Sequence, residues 1–203
     1  MSESNNKNKS QNTSQRLTGE KLNFIIAICA ILISAASFYA TYLQADAANK
    51  QVKAMTLPMV QYEHGNANSQ DEAEINFSLV NAGVGPAMIK SAEYQYKGKS
   101  YDSLFDILNV CCESASLNFK NKANNPEIDM PQFITSPVEN KIIPAQDELF
   151  IMRLEKHPEN NDIWHALNDI RFEIRFKACY CSLLDECFET NEQTETKAVK
   201  SCQ

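Results

Sequence analysis

Hydrophobic side chains are distributed unevenly along the 203-residue chain, and their pattern divides it into segments. Residues 1–21 contain two apolar side chains, Met1 and Leu17, among many Asn and Ser residues. Such a segment buries too little surface to offset the entropy of ordering, so we predict a disordered tail. Residues 22–43, LNFIIAICAILISAASFYATYL, carry no charge at all. They form the second segment.

The uncharged segment 22–43 has the length of a transmembrane helix, because about 20 helical residues cross a bilayer core of about 30 Å. Tyr39 and Tyr42 lie near its far end, where aromatic rings prefer the headgroup zone. A signal peptide cleaved near Ala45–Ala47 is the alternative, and the sequence leaves it open. The apolar stretch exceeds the ~7–15 residues usual for a signal peptide. We therefore favour an uncleaved anchor.

The distribution of charge predicts the orientation of this anchor. Four Lys and Arg side chains precede the segment, and only Lys50 and Lys53 follow it closely. The positive-inside bias then places the N-terminus in the cytoplasm and the rest outside the inner (plasma) membrane. Residues 44–203 carry 15 basic and 24 acidic side chains, a net charge of −9. This acidic part would repel a phosphate backbone, so we expect no nucleic-acid partner.

The helical composition continues beyond the membrane segment. Residues 44–57 are rich in Ala, Gln, Lys and Met, which favour helix, and Pro58 follows them. We predict one helix from about residue 22 to about residue 56, in which residues 44–57 form a stalk. Small residues at Ala30/Ser34 and Ala36/Ala40 would permit close pairing of two such helices. A homodimer through the transmembrane helix is therefore one expected assembly, beside the lipid bilayer itself.

Beyond Pro58 the hydrophobic period changes from helical to alternating. In residues 73–81, AEINFSLVN, the apolar Ile75, Phe77 and Leu79 alternate with polar side chains, as a half-buried strand requires. Gly83, Gly85 and Pro86 follow and predict a structural turn between two strands, because Gly permits positive φ and Pro sets φ near −65°. A phosphate-binding loop is disfavoured, because a strand pattern and not a helix comes next.

The middle of the chain alternates short elements with turns. We predict a strand that ends at a turn over 97–99, and a short helix at 103–112 with Ser103 as its N-cap. Residues 113–131 resemble a surface loop. A turn around Pro144 precedes a strand with Phe150, Met152 and Leu154 on one side, and one or two helical turns carry Trp164. The polar residues 191–203 are expected to form a flexible tail.

Residues 170–181 show the most regular alternation, with twelve consecutive positions of period two that place Cys179 and Cys181 on the polar face. If Cys181 faces Cys187 across a five-residue loop, Tyr180 faces Phe188 and Cys179 faces Glu189. Facing strand positions bring thiols close enough for a bond. We therefore predict a Cys181–Cys187 disulfide in an oxidising compartment.

The remaining cysteines leave alternatives open. A zinc site is disfavoured because the spacing lacks paired Cys-x2-Cys ligands, and a catalytic thiol because the hairpin has no nearby His base. Reduced cysteines would follow from the opposite orientation. Either Cys111 or Cys112 could pair with Cys202 or Cys179, which the sequence does not decide. Cys29 is expected only to pack within the membrane segment.

Strands separated by turns, with little regular helix, predict a mainly β protein: an antiparallel, Ig-like β-sandwich over residues 58–190 with one or two short helices. The order of an apolar helix, an Ala- and Gln-rich stalk ending at LPMV, VNAGVGPAMI, IIPAQDELF and YCSLLDECFE resembles a loose group of uncharacterised bacterial single-pass membrane proteins. These have a small sandwich ectodomain. The resemblance covers roughly residues 22–190 and implies architecture, without catalytic residues.

Function is predicted by class. The sequence lacks nucleophile-elbow, zinc-protease, phosphate-loop and dinucleotide motifs, and His64, His157 and His165 are far apart, so we expect no enzyme and no cofactor or metal. An anchor, a stalk and a motif-poor domain favour an extracytoplasmic interaction or structural module with a protein partner in the envelope. A small-ligand sensor, with residues 113–140 closing over a pocket, is the alternative. A membrane-tethered hydrolase is less favoured.

Overall fold

The computed structural model describes residues 19–129, 133–190 and 196–202. Its internal contacts divide the chain into two compact units, residues 1–50 and residues 51–203. Of the first unit the structure describes residues 19–50, which are the greater part of one helix. Among the described residues, the second unit contains the strands and the last turn of that helix.

The N-terminal helix α1 runs without interruption from Gly19 to Met55. It is long and apolar enough to cross a membrane, with a mean hydropathy of 2.2 over its most apolar 18 residues, and none of its residues is buried. Residues 1–18 of the predicted disordered tail lie outside the described residues. The prediction is wrong for residues 19–21, which form the first helical turn. The apolar sequence that follows them is already helical, and extending a helix costs less than nucleating one.

Four antiparallel strands form the first sheet, in the order β1-β2-β7-β5. Their bounds are β1 Val60–Ala67, β2 Ala73–Asn81, β5 Phe133–Thr135 and β7 Glu148–Glu155. The predicted one-sided alternation in β7 is wrong, because Ile151 and Met152 are both buried. The register between β2 and β7 shifts at Phe77/Ser78, which is a bulge that turns adjacent side chains to the same face.

The second sheet has the order β10-β9-β8-β3-β4, and the short β6 also pairs with β3. The strands are β3 Ala87–Tyr96, β4 Lys99–Tyr101, β6 Ile142–Ile143, β8 Ile174–Cys181, β9 Cys187–Thr190 and β10 Thr196–Val199. The predicted turn after β3 is a two-residue hairpin loop in which Lys97 (φ 49°) and Gly98 (φ 75°) both have positive φ. The right-handed twist of paired strands favours this turn.

One hydrophobic core receives side chains from both sheets. Phe77 of β2 and Ile89, Phe176 and Tyr180 of the second sheet are all fully or nearly fully buried in it. The rings of Tyr62 and Phe176, from different sheets, stack with centroids 5.5 Å apart. The prediction of a β-rich domain of antiparallel strands with short helices is confirmed.

Helices lie beside the sheets where the sequence predicted loops or shorter turns. The helices are α2 Leu104–Cys111, α3 Glu113–Ala123 and α4 Asn161–Ile170, and a 3-10 turn, Pro158–Asn160, leads into α4. Ser103 caps α2 as predicted, because its hydroxyl accepts a hydrogen bond from the Asp106 N–H. The loop prediction is wrong for residues 113–123.

Helix α3 forms because its polar side chains find partners on neighbouring helices. Asn118 Nδ2 donates to Asp162 Oδ2 at 3.0 Å, and Lys122 Nζ donates to the Glu159 carbonyl at 3.0 Å. Ser116 is buried and donates to Asn109 of α2. The sequence of α3 has no wide apolar stripe, so hydrophobic periodicity alone did not indicate this helix.

The strand predicted over residues 170–181 begins later than its alternation suggested. Ile170 ends α4, and the side chain of Phe172 is 65% exposed in the turn that follows. Helix α4 is also longer than the one or two turns predicted. Its buried Ile163, Trp164 and Leu167 have the helical spacing that holds this segment on the core. Packing therefore overrides local alternation.

Candidate functional site

The hairpin of β8 and β9 brings cysteines together in the predicted register. Cys181 pairs with Cys187, Tyr180 with Phe188 and Cys179 with Glu189, and this register is confirmed. Residues 182–186 form the loop, in which Ser182 N–H donates to the Glu186 carbonyl at 2.8 Å. The Sγ atoms of Cys181 and Cys187 lie 2.09 Å apart, at disulfide distance. Tyr180 and Phe188 stack with ring centroids 5.8 Å apart.

Cys179 lies on the same face of β8 as the exposed Lys177, which agrees with the predicted polar face. This face is nevertheless covered at both cysteines, which the sequence did not indicate. Cys179 is 6% exposed and Cys181 is 4% exposed. The C-terminal segment is the cause: β10 pairs with β9, and Cys202 lies 2.01 Å from Cys179, Sγ to Sγ. The predicted flexible tail is wrong for residues 196–202. Residues 191–195 and residue 203 lie outside the described residues.

Sulfur atoms of the two cysteine pairs are in contact with one another. Cys181 Sγ lies 3.7 Å from Cys202 Sγ, although each is paired with a different cysteine. The Sγ atoms of Cys181, Cys187 and Cys202 all lie within 4.8 Å of one another. Cys187 and Cys202 are half-buried, so the contact lies close to the surface. We call Cys179, Cys181, Cys187 and Cys202 the four-cysteine cluster.

A polar pocket of about 500 Å³ opens beside Cys179. Its charged lining side chains are Glu93, Lys177, Glu189 and Lys200. Lys177 Nζ lies 3.6 Å from Glu189 Oε2. Hydrogen bonds from Ser100 and then Gln95 lower the pKa of Glu93, so this carboxylate keeps its charge at neutral pH. The pocket therefore holds both signs of charge around one buried cysteine.

The adjacent Cys111 and Cys112 pair with each other, where α2 meets α3. Their Sγ atoms lie 2.05 Å apart, so neither pairs with Cys179 or Cys202. The sequence left this choice open because adjacency says nothing about the distance to other cysteines in the fold. The side chain of Cys29 is exposed and unpaired on α1.

The turn at Gly83, Gly85 and Pro86 joins a strand of one sheet to a strand of the other, since β2 and β3 lie in different sheets. Positive φ does not explain why glycine occurs in this turn. Among the described residues, Gly98 is the glycine with positive φ, and Gly83 and Gly85 do not have it. A Cβ on Gly83 would lie 2.5 Å from the Leu57 carbonyl, and one on Gly85 would overlap the Thr56 backbone. Close backbone approach therefore requires glycine here.

Exposed apolar side chains gather at the end of the domain where α1 ends. We call Met55, Met59, Val84, Leu183 and Leu184 the junction surface; each is 40–64% exposed. The elements that carry them are bonded together: Val84 N–H donates to the Leu57 carbonyl at 3.1 Å, and Lys53 Nζ lies 2.5 Å from Glu186 Oε1. All five side chains of the junction surface belong to the unit of residues 51–203. The sequence signal for this surface is Leu183-Leu184 at a hairpin tip, where polar residues are usual.

A second pocket, of about 340 Å³, lies where β3, the start of α2 and residues 135–139 meet. Leu104, Phe105 and Val138 line it together with Tyr94, Asp102 and Glu139. Burial, and then the Glu139 carboxylate, raises the pKa of Tyr94 to about 12. Tyr94 therefore keeps its proton at neutral pH and remains available as a hydrogen-bond donor.

The three histidines occupy separate structural positions. His157 caps the 3-10 turn by accepting from the Glu159 N–H, and His165 contacts the Trp164 ring on α4. His64 Nδ1 lies 3.4 Å from Arg171 Nη1. Burial, and then Arg171, lowers the pKa of His64. Each histidine thus has a different contact: His157 caps a turn, His165 contacts an aromatic ring and His64 contacts a guanidinium group.

Comparison of the chain with protein-family models, with curated proteins and with solved structures found no match.

Proposed function

We propose that this protein is a membrane-anchored, extracytoplasmic interaction module whose junction surface binds a protein partner in the envelope. In this proposal α1 spans the inner (plasma) membrane with its N-terminus in the cytoplasm, and the two sheets form an Ig-like β-sandwich outside. The observation that carries the proposal is the group of five exposed apolar side chains at the end of the domain where α1 ends. Apolar surface left in contact with water favours association.

The length of α1 favours a protein over lipid as the occupant. The uncharged segment ends at Leu43, and 12 further helical residues lead to Met55. At 1.5 Å per residue they extend about 18 Å. The headgroup layer on each side of a bilayer is only about 5–8 Å thick. The end of α1 at Met55, which belongs to the junction surface, would therefore lie beyond the headgroup layer.

Site-specific photo-cross-linking in cells tests this proposal. A photoreactive side chain at Leu183 or Val84 should form a discrete adduct with a second protein. Phe172 is the matched control: it is as exposed and apolar, but it precedes β8, whereas Leu183 follows it. The eight residues of β8 separate these positions by about 26 Å. Adducts of equal yield at all three positions, or none at Leu183 and Val84, would contradict the proposal.

A small-ligand sensor is the second candidate, and the pocket at Tyr94 favours it. Its lining combines apolar residues with Tyr94, Asp102 and Glu139, and such a mixture is usual in a ligand site. We expect thermal-shift screening of the full chain in detergent to find a small ligand that raises the melting temperature. The substitution Thr135→Trp would fill the pocket from an exposed position and abolish that shift. A shift that persists in this variant would place the ligand elsewhere.

A further inference from the structure

The four-cysteine cluster differs from two independent cross-links because sulfurs of different pairs touch. Cys181 Sγ lies 3.7 Å from Cys202 Sγ, and Cys187 Sγ lies within 4.8 Å of both. Thiol–disulfide exchange begins when a thiolate attacks a sulfur of a disulfide, so the attacking sulfur must start in contact with it. The cluster satisfies this condition without rearrangement of the backbone.

We propose that the four-cysteine cluster is a thiol–disulfide relay, in which two electrons taken up at the Cys181–Cys187 bond release a thiol at Cys179. This activity is additional to the interaction role above and does not depend on it. The electron donor is a protein dithiol of the same compartment.

The first step opens the bond that is nearer the surface. A thiolate of the donor attacks the half-buried Cys187 Sγ, and Cys181 leaves as a thiolate. The second thiol of the donor then attacks the mixed disulfide. Cys187 leaves as a thiolate and takes a proton from water, while the donor departs as a disulfide. One disulfide of the protein has been reduced by two electrons, and one dithiol has been oxidised.

The second step transfers the remaining bond and is redox-neutral. The Cys181 thiolate attacks Cys202 Sγ across the 3.7 Å contact. A Cys181–Cys202 bond forms, the Cys179–Cys202 bond breaks, and Cys179 leaves as a thiolate that takes a proton from water. The four-cysteine cluster then holds one disulfide, Cys181–Cys202, and its free thiols are Cys179 and Cys187.

The relay moves a thiol into the polar pocket. Cys179 lines the 500 Å³ pocket, whereas Cys187 lies on the hairpin. Lys177 and Lys200 of the lining favour a thiolate at Cys179, and Glu93 and Glu189 oppose it. Electrons received at one surface are therefore presented at another.

Limited reduction tests the relay in the full chain in detergent. The Cys111→Ser/Cys112→Ser variant serves as the background, so that the adjacent pair takes up no electrons. One equivalent of dithiol, an acid quench, alkylation and chymotryptic cleavage after Tyr180 separate Cys179 from Cys181 for mass spectrometry. We expect the singly reduced protein to contain Cys181–Cys202 and alkyl groups on Cys179 and Cys187. Singly reduced protein in which Cys179–Cys202 is intact would overturn the proposal, as would one in which Cys181–Cys187 is intact.

A variant that requires no reductant provides a second test, with cysteines 111 and 112 unchanged. Cys187→Ser leaves a Cys181 thiol in contact with the Cys179–Cys202 bond. At about pH 8, where thiolates form, we expect a Cys181–Cys202 peptide that the unsubstituted protein lacks, with Cys179 alkylated. If Cys179–Cys202 persists as the sole bond among the three cysteines, the two bonds are independent and the relay is wrong.

Discussion

Tyr180 joins three parts of the domain through one hydroxyl group. It accepts a hydrogen bond from the buried Val60 N–H at 3.1 Å and shares another with Thr196 Oγ1 at 3.1 Å. Its ring stacks on Phe188. A single side chain of the second sheet thus satisfies a backbone group at the start of the first sheet.

Tyr180→Phe should destabilise the protein by about 1–3 kcal/mol, because it leaves the buried Val60 N–H without its acceptor. Chemical denaturation of the full chain in detergent would measure the free energy of unfolding. Thr196→Val is the matched control, since it removes the hydrogen bond to Thr196 and leaves the acceptor of Val60 in place. Equal losses in the two variants would contradict this role for the Tyr180 hydroxyl.

His64 should make stability depend on pH. Its pKa is lowered in the folded protein from the ordinary value of 6.5, by burial and then by Arg171. The unfolded chain therefore binds a proton at higher pH than the folded one. The contribution of His64 to the free energy of unfolding should be complete above about pH 6.5. It should be lost as the pH falls toward the lowered pKa. Melting temperatures between about pH 5 and pH 8 would measure this.

Two variants isolate this effect of His64. In the His64→Gln variant, the melting temperature should depend less on pH than in the wild-type protein. His165→Gln, on the exposed face of α4, should leave the contribution of His64 unchanged. A wild-type curve that coincides in shape with that of His64→Gln would show that the His64–Arg171 contact does not act in this way.

At the scale of elements, β10 converts a two-stranded cysteine hairpin into a covered sheet. It pairs with β9 through four residues, from Thr196↔Thr190 to Val199↔Cys187. It also supplies Thr196 to the Tyr180 hydroxyl and leads to Cys202. Burial of Cys179 thus depends on an element 17 residues further along the chain.

A chain that ends at residue 195 should melt below a Cys202→Ser full-length chain, although both lack the Cys179–Cys202 bond. The difference isolates the strand, whose removal exposes Cys179 and deprives Tyr180 of Thr196. The rate at which Cys179 reacts with an alkylating reagent should rise in the shortened chain relative to the variant. Equal melting temperatures and equal rates in the two proteins would show that β10 does not cover the cysteine.

At the scale of the whole molecule, the last turn of α1 belongs to the domain that follows it. Val84 and Gly85 N–H groups donate to the Leu57 carbonyl at 3.1 and 3.2 Å, and Gly85 packs against Thr56. The residues 51–57 therefore form part of the second compact unit, and a boundary at residue 58 would cut through these contacts.

A fragment of residues 51–203 should melt about 4–8 °C above a fragment of residues 58–203. The shorter fragment lacks the acceptor of two hydrogen bonds, worth about 1 kcal/mol each, and about 2–4 °C per kcal/mol is typical of a domain of this size. A fragment of residues 44–203 is the control and should melt with the 51–203 fragment, because residues 44–50 belong to the other unit. Equal melting of all three fragments would contradict the boundary at residue 51.

Much of this architecture could be predicted because its causes are local. The uncharged, apolar residues 22–43 are helical as their composition predicts, and the two-residue turn at Lys97 and Gly98 follows from the adjacent strand patterns. The hairpin register could be predicted because the register that places Cys181 opposite Cys187 also places Tyr180 opposite Phe188. Periods of 2.0 and 3.6 residues and glycine-containing turns are properties of short segments, so a sequence displays them directly.

The candidate sites could be predicted less well, because distant segments complete them. The partner of Cys179 lies 23 residues away, and no spacing rule connects the two. The glycine at position 85 signals a turn in sequence, but its actual neighbour is Thr56. Likewise, Asn118 and Lys122 resemble loop residues until α4 supplies their partners.

The sequence by itself determined the apolar helix, the β-rich class of the domain and the cross-strand pairing of its cysteine hairpin. Only the tertiary structure decided that helix α3 forms, that Cys179 is buried by Cys202, and that four sulfurs meet in one cluster. The physical reason is range. Backbone propensity and hydrophobic alternation act between neighbours in the chain, whereas coverage of a sheet face and contact between sulfurs depend on how remote segments pack.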